Sequence, residues 1–199
     1  MERVILARHA ESELSVRGAL NGDPRARGGA LTATGRRQAE ALGTLLADDP
    51  IDLCATSEFA RTRETADLAL AGREVPRLTL PELNDIRFGS FEGKLLDDYR
   101  AWALSSGPGA DCPGGGESRV DAAARYAAAY RALLARSEPT VFVVTHALPI
   151  RYLLSALVEQ DPAARVEPVP YAEPYRFSAP QLERAARRLE RWCRTPAFA

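Results

Sequence analysis

Short apolar segments that alternate with helical patterns constrain the fold of this chain more than any other feature. Four of them occupy residues 4–7 (VILA), 51–56 (IDLCAT), 77–80 (RLTL) and 141–145 (VFVVT). Segments this short and this apolar are typical of strands that are covered on both faces. Because helical patterns follow them along the chain, we predict an α/β fold: a three-layer α/β/α sandwich with a mostly parallel central sheet.

Helix-start signals agree with this alternation. Thr32 is suited to cap a helix over the segment that follows it, and Ser118 and Asp121 have the spacing of a capping box. Pro149 suits a first helical position. One interruption stands out, because the Gly- and Pro-rich stretch 105–117 predicts a loop.

The C-terminal part of the chain has a different pattern. Prolines interrupt residues 160–177, and we predict an edge strand at 175–178. Residues 180–194 have apolar side chains at helical spacing and predict a helix packed on the outside. Both segments are candidates for a homodimer contact. A chain of 199 residues suffices for one well-filled core, so we expect a single domain over residues 1–199.

Composition excludes several classes of protein. The chain has 26 Lys and Arg against 27 Asp and Glu, a formal charge of -1, so we expect neither nucleic acid nor an anionic membrane as a partner. No apolar run approaches the roughly 18 residues of a membrane span. Three widely spaced cysteines outside any CxxC pair suit reduced thiols, which predicts a soluble protein in the cytoplasm.

The only two histidines follow strands. His9 comes directly after the first apolar segment with Arg8 before it, and His146 comes directly after the last. Ligands of open parallel sheets bind outside the carboxyl ends of the strands, so both imidazoles point to one edge. Arg61 lies in the first turns of the helix that follows the second segment. A lone histidine or helical arginine is usually structural, but three segments that converge on one edge favour a binding site there.

Two arginines and two histidines suit a doubly charged tetrahedral anion. Guanidinium groups bind phosphate oxygens in a bidentate manner, and helix starts near Ser57 and Pro149 would add amide donors. Phosphoryl transfer requires this kind of charge neutralisation. The sequence has no HxxxH, HExxH or GxxxxGK motif, so we predict no metal or other cofactor and a neutral imidazole as the nucleophile.

Five blocks, in order along the chain, carry a family resemblance. RHAES, TSEFARTRETA, LNDIRFGSFEG, PGGGES and VVTHALPIR resemble the histidine phosphatase superfamily, also called phosphoglycerate-mutase-like, between about Val4 and Leu157. The resemblance implies that His9 attacks phosphorus and becomes phosphohistidine, which water then hydrolyses. It also implies that Arg8, Arg61 and His146 hold the phosphoryl oxygens.

The same resemblance assigns a general acid to protonate the departing alcohol. The matching position is Asp85, where the family more often has Glu, and Glu82 is the alternative. A general acid contributes roughly 100-fold or more to the departure of an alkoxide. Ser15 stands where the family commonly has a phosphate-binding Asn, and Asn21 is a second candidate for that ligand.

Two alanines depart from the family pattern. Ala10 and Ala147 replace the glycines that usually follow the first and second histidines. Alanine is strained at positive φ, so we expect negative φ at both positions. Ala147 is also a candidate substrate-binding position.

Hydrolysis is favoured over mutase-type transfer. Ile86 follows Asp85 where mutases have a carboxylate-binding arginine, and the region after it is short, so we expect a pocket open to water and poor in carboxylate ligands. The substrate would be a small phosphomonoester, with the loop 105–117 and four rim residues near the leaving group: Arg87, Phe88, Tyr99 and Trp102. The alternatives are a phosphoglycerate mutase and a non-catalytic phosphate-binding or regulatory protein of the same fold.

Overall fold

The computed structural model describes residues 1–26, 29–167 and 169–199. Its sheet has five strands in the order β3-β2-β4-β1-β5, and only the edge strand β5 runs antiparallel to its neighbour. The strands are β1 (Arg3–Arg8), β2 (Leu53–Thr56), β3 (Arg77–Thr79), β4 (Thr140–Thr145) and β5 (Pro174–Ser178). The predicted α/β fold with a mostly parallel sheet and a C-terminal edge strand is confirmed.

Helices cover both faces of the sheet. In the described residues they are α1 (Glu13–Val16), α2 (Ala33–Leu45), α3 (Ala60–Ala69), α4 (Leu96–Ser105), α5 (Arg119–Leu134), α6 (Ala147–Leu157) and α7 (Ala179–Trp192). Helices α2 and α3 pack on the face that carries Ile5 and Phe142, whereas α5, α6 and α7 pack on the opposite face, with Leu6 and Val143. Successive strand residues alternate between the two buried layers, as the continuous apolar patterns require.

Helix starts follow the predictions with one exception. The Thr32 hydroxyl accepts a hydrogen bond from the Gly35 amide at 2.9 Å, and Ser118 forms a capping box with Asp121. Pro149 was predicted at a first helical position, but α6 begins two residues earlier at Ala147. The extended backbone of His146 precedes this start, so the helix follows the strand without a linker.

Two segments near the site complete the fold. Residues 106–118 contain no helix or strand, in agreement with the predicted loop. Helix α4, which the sequence patterns did not predict, buries Tyr99 and Ala103 in the core. None of the helices in the described ranges is long and apolar enough to cross a membrane.

The register of β1 and β4 brings the two histidines together. Arg8 pairs with Thr145 at the carboxyl ends of these parallel neighbours, and the His9 amide donates to the Thr145 carbonyl at 2.9 Å. His9 and His146 therefore leave the sheet side by side. Strand β2 borders β4 on its other side, so Ser57 and the start of α3 reach the same edge.

Candidate active site

His9 is a buried, neutral imidazole with one free ring nitrogen. Its ring is buried, at 4% exposure, and Nδ1 lies 2.7 Å from the Ala10 carbonyl oxygen. A carbonyl only accepts, so Nδ1 carries the proton and Nε2 keeps its lone pair. Burial lowers the pKa of His9 well below its ordinary value, and the Arg61 and Arg8 guanidinium groups lower it further. The free Nε2 is therefore available for attack at neutral pH.

His146 lies fully buried beside His9, with the ring centroids 5.4 Å apart. Its Nε2 and the Ser57 hydroxyl are 2.9 Å apart, and its Nδ1 accepts from Arg61 Nη2 at 3.1 Å. Burial lowers the pKa of His146 well below its ordinary value, and Arg61 contributes to the decrease. His146 is thus neutral in this arrangement, with Nε2–H donating to Ser57, a partner that the sequence analysis did not assign.

Arg8 is fixed by the segment that precedes β5. Its Nη1 donates to the Val169 carbonyl at 2.7 Å, and its guanidinium carbon lies 3.8 Å from the centroid of the Tyr171 ring. Its buried Nε has no hydrogen-bond partner. A buried donor without a partner is costly, so this nitrogen is available to an anion that enters the site.

Arg61 is held from three sides in the first turn of α3. Its Nη2 donates to the Asn21 carbonyl at 3.0 Å as well as to His146, and its guanidinium carbon lies 4.1 Å from the Phe59 ring centroid. The Asn21 side-chain oxygen accepts from Nη1 at 3.2 Å when its amide nitrogen donates to the Asp23 carbonyl. Burial lowers the pKa of Arg61 to about 10, so it stays charged at neutral pH, and its Nε also lacks a partner.

Asp85 faces both His146 and Arg61. Its Oδ2 lies 3.7 Å from His146 Nδ1 and 3.7 Å from Arg61 Nη2, and its Oδ1 accepts from the Ile86 amide at 3.0 Å. Burial raises the pKa of Asp85 above its ordinary value, against the opposing effect of Arg61. A carboxyl group with a raised pKa can remain protonated and donate a proton.

A buried ion pair holds the loop that carries Asp85. Glu117, in the Gly-rich block, and Arg125 on α5 form a bidentate pair with two 2.8 Å contacts. Arg125 also donates to the carbonyls of Glu82, Asn84 and Asp85, at 2.9, 2.8 and 3.2 Å. Bidentate geometry fixes the guanidinium, and the guanidinium in turn fixes three carbonyls. These contacts hold the loop against α5. Nothing in the local sequence indicated these partners.

One cavity of about 280 Å³ contains most of these groups. Its wall includes eight of the residues singled out above: Arg8, His9, Ser15, Asn21, Arg61, Asp85, Phe88 and Tyr99. Ala147 also lines it, at the start of α6, where the first amides have no partner within the helix. His146 lies directly behind the wall, and Glu82 does not line it. Of the two predicted candidates for the acid, the cavity therefore contains only Asp85.

Several predicted contacts differ in the structure. The Ser15 hydroxyl donates to the Ser12 carbonyl at 2.8 Å, so its one proton is already used within α1 and its cap. Glu11, two residues after His9, accepts from the Thr32 hydroxyl at 2.6 Å and so contacts the cap of α2. Ala10 and Ala147 are absent from the described residues with positive φ, which confirms the expected backbone.

The rim of the cavity also differs from the prediction. Arg87, Trp102 and the loop 105–117 do not line it in the described chain. The C-terminal stretch does, through Ala164, Val166, Glu167 and Tyr171, with residue 168 outside the described residues. We expected a pocket with few groups that could bind a substrate carboxylate. That expectation is also wrong, because Arg100 and Arg119 line the same cavity. These groups come from helices and from a segment distant in sequence, so no local motif marks them.

Comparison with known proteins identifies relatives over part and over most of the chain. A 108-residue stretch is 44% identical to the adenosylcobalamin/alpha-ribazole phosphatase of Salmonella typhimurium and covers 50% of this chain and 52% of that protein. The chain thus spans about half the length of the curated alpha-ribazole phosphatases that it matches. Among solved structures, the alpha-ribazole phosphatase from Shigella flexneri superposes with a TM-score of 0.73 at 28% identity, over 87% of this chain and 89% of that one.

A second solved structure and a family profile extend the match. Bacillus stearothermophilus YhfR superposes with a TM-score of 0.75 at 28% identity, over 87% of this chain and 89% of that one. The sequence model of the histidine phosphatase superfamily (branch 1) matches residues 4–194. The match includes the C-terminal helix, which the motifs up to Leu157 had left outside the resemblance. Its extent shows that this chain belongs to the histidine phosphatase superfamily, branch 1.

Proposed function

We propose that this protein hydrolyses a small phosphomonoester through a phosphohistidine at His9, without a metal ion. The observation that carries the proposal is the pairing, in one cavity, of a neutral imidazole that has a free Nε2 with a carboxyl group that has a raised pKa. A nucleophile and an acid with opposite pKa shifts are what a two-step phosphoryl transfer requires.

In the first step, the Nε2 lone pair of His9 attacks phosphorus while the bond from phosphorus to the alcohol oxygen breaks. Asp85 gives its proton to the departing oxygen. Nδ1–H of His9 keeps its hydrogen bond to the Ala10 carbonyl oxygen. That carbonyl stabilises the positive charge that forms on the ring. The products of this step are the free alcohol, phosphohistidine and an Asp85 carboxylate.

In the second step, Asp85 takes a proton from water as the water oxygen attacks phosphorus. The nitrogen–phosphorus bond breaks, its electrons return to Nε2, and inorganic phosphate leaves. Arg8 and Arg61 are proposed to bind the phosphoryl oxygens in both steps, through nitrogens that lack partners in the described chain. Ser15, Asn21 and Ala147 complete the wall at this end, with Asn21 acting through Arg61.

His146 is proposed to stabilise the same phosphoryl group from behind the wall. Its Nδ1 faces Arg61 and Asp85, and the negative charge of a bound phosphate would favour protonation of that nitrogen. The protonated ring could then donate toward the phosphoryl oxygens. Ser57 fixes the ring orientation through Nε2.

We further propose that residues 1–199 form one domain and that the protein works in a reducing, cytoplasmic environment. The three cysteines are unpaired in the structure, and two of them, Cys54 and Cys112, are buried. Cysteines that form no disulfide are typical of chains that fold in a reducing compartment. A small phosphorylated metabolite is the proposed partner, and because relatives are named for alpha-ribazole, its phosphate ester belongs among the substrates tested.

The test measures phosphate release from p-nitrophenyl phosphate and from an alkyl phosphate, with the His9→Ala variant as control. We expect turnover by the natural chain and acid-labile phosphate on the protein. Binding of phosphate without turnover or labelling would instead establish a non-catalytic binding protein. Isomerised product from a phosphoglycerate with its bisphosphate, in place of free phosphate, would establish a mutase.

A further inference from the structure

Arg119 is a buried cation at the other end of the cavity. It is the first residue of α5 and 7% exposed, and it lines the same cavity as His9. Its Nε donates to the Tyr99 hydroxyl at 2.8 Å and its Nη1 to the Tyr152 hydroxyl at 3.2 Å. Its Nη2 donates to no group, and its guanidinium forms no ion pair, within residues 1–26, 29–167 and 169–199.

This placement is unfavourable for a charge with a purely structural role. Burial of a cation is costly unless an anion pairs with it, and two neutral phenols supply none. A cation at a helix start also opposes the positive end of the helix dipole. Arg125, six residues further along the same helix, pairs with the buried carboxylate of Glu117. A neutral amide would bridge the two tyrosines without these costs, so the charge itself calls for a function.

The cations along the cavity wall differ in whether an anion pairs with them. The described wall carries four guanidinium groups, from Arg8, Arg61, Arg100 and Arg119, against the two carboxyl groups of Asp85 and Glu167. A phosphate dianion would balance Arg8 and Arg61. Arg100 pairs with Asp97 at 3.1 Å, whereas no carboxylate of the described residues lies within ion-pair distance of Arg119.

Apolar side chains also line this cavity. The wall also contains Leu20, Ile86, Phe88 and Leu148, which suit the carbon skeleton of a substrate. An anion that approaches Arg119 would meet Nη2, which donates to no group in the described residues. The geometry defines a second anion subsite in the leaving-group half of the cavity.

We propose that Arg119 binds a second anionic group, a carboxylate or a phosphate, on the alcohol portion of the substrate. This inference rests on the proposed function, because it assumes that the reacting phosphoryl group lies at His9. It makes the substrate class a small phosphomonoester with a terminal anion on its leaving group. Arg119 would be a substrate-binding residue that acts on specificity.

Two sets of matched compounds test the subsite. The first set is 3-hydroxypropyl phosphate, 3-phosphooxypropanoate and propane-1,3-diol bisphosphate, and the second is 4-(hydroxymethyl)phenyl phosphate and 4-carboxyphenyl phosphate. The members of a set differ in the presence or type of the second anion, and the two sets differ in its distance from phosphorus. We expect kcat/KM about tenfold higher for an anionic member in at least one set, mainly through KM. The better member of the first set distinguishes carboxylate from phosphate.

Variants separate charge from packing. Arg119→Gln should abolish the preference and leave turnover of the neutral members within about threefold of the natural chain, whereas Arg119→Lys should retain part of it. Tyr152→Phe removes one hydrogen bond but no charge, so it should keep the preference. The proposal is wrong if neither set shows a preference, if the preference survives Arg119→Gln, or if Tyr152→Phe removes it equally.

Binding to the His9→Ala variant gives a readout that does not depend on turnover. We expect the same tenfold preference for the anionic members in dissociation constants measured by calorimetry. The natural chain could hydrolyse none of the compounds while His9→Ala still binds the anionic members more tightly and the His9→Ala/Arg119→Gln double variant loses that preference. In that case the proposed function fails and the subsite stands. Equal binding of neutral and anionic members by the His9→Ala variant would overturn the subsite.

Discussion

The two ends of the cavity are built in different ways. At the phosphoryl end, Arg8, His9 and Arg61 come directly from the ends of neighbouring strands or from the first turn of the next helix. At the leaving-group end, the wall comes from α4, from the start of α5 and from the segment before β5. Strand register alone assembles the first end, whereas the second requires long-range packing of separate segments. A sequence therefore reveals the chemistry of such a site more readily than its substrate.

The largest effect is expected at the phosphoryl end. Removal of the proposed nucleophile in His9→Ala should lower kcat by about 10⁴-fold or more, because no second imidazole has a free Nε2 in the cavity. Initial rates of phosphate release from an alkyl phosphate measure this loss. A residual rate within tenfold of the natural chain would remove His9 from the mechanism.

Loss of the acid should depend on the leaving group. Asp85→Asn is expected to lower kcat roughly 100-fold for an alkyl phosphate, whose alkoxide needs a proton, and much less for p-nitrophenyl phosphate. The comparison of the two substrates in one variant is the measurement. An equal loss with both substrates would mean that Asp85 acts on something other than the departing oxygen.

The pH dependence gives an independent check on Asp85. Its pKa is raised, so the protonated acid persists to higher pH than for an ordinary carboxyl group, and kcat for an alkyl phosphate should fall as pH rises through that pKa. Asp85→Asn should abolish this alkaline decrease. If kcat of the variant falls with pH in the same way, the alkaline decrease belongs to another titrating group.

A smaller effect is expected from loss of the Arg125–Glu117 ion pair, which holds the loop that carries Asp85. Arg125→Met leaves Glu117 buried without its partner and frees three loop carbonyls. It should destabilise the fold by about 3 kcal/mol or more and lower kcat roughly tenfold for alkyl phosphates. Aryl phosphates, which need less help from the acid, should be affected less.

A matched variant on the same helix controls for general loss of stability. Arg131 pairs with Glu190 at the surface, with both side chains more than a third exposed. Arg131→Met should cost about 1 kcal/mol or less in a urea titration and leave both kinetic constants unchanged. If Arg125→Met lowers stability but spares the alkyl-to-aryl rate ratio, the ion pair does not position Asp85.

The smallest effect is expected where the leaving-group end touches the phosphoryl end. Tyr171→Leu removes the ring that faces Arg8, a contact of about 0.5–1.5 kcal/mol, so KM should rise about 2- to 12-fold with little change in kcat. Tyr171→Phe keeps the ring and should behave like the natural chain. A fall in kcat with unchanged KM would place Tyr171 in the chemistry instead.

The sequence predicted the parts of the molecule that depend on local pattern. Buried strands, the caps at Thr32 and Ser118, and the convergence of His9 and His146 follow from periodicity and from the rule for parallel sheets. Asp85 was found only through the family resemblance, because its loop position has no signal of its own. Arg119 and Tyr171 could not be found, because a residue at a helix start or in a Pro-rich stretch gains its meaning from neighbours that are distant in sequence.

The central claim is that the phosphoryl group is transferred to Nε2 of His9, since Nδ1 is bound to the Ala10 carbonyl. The most direct measurement is phosphorus NMR of protein labelled with substrate and quenched at alkaline pH, combined with mass spectrometry of the labelled peptide. The account predicts one N–P resonance, assigned to the Nε2 isomer, on the peptide that contains His9. Phosphate on Nδ1, phosphate on His146, or no phosphoenzyme during active turnover would contradict it.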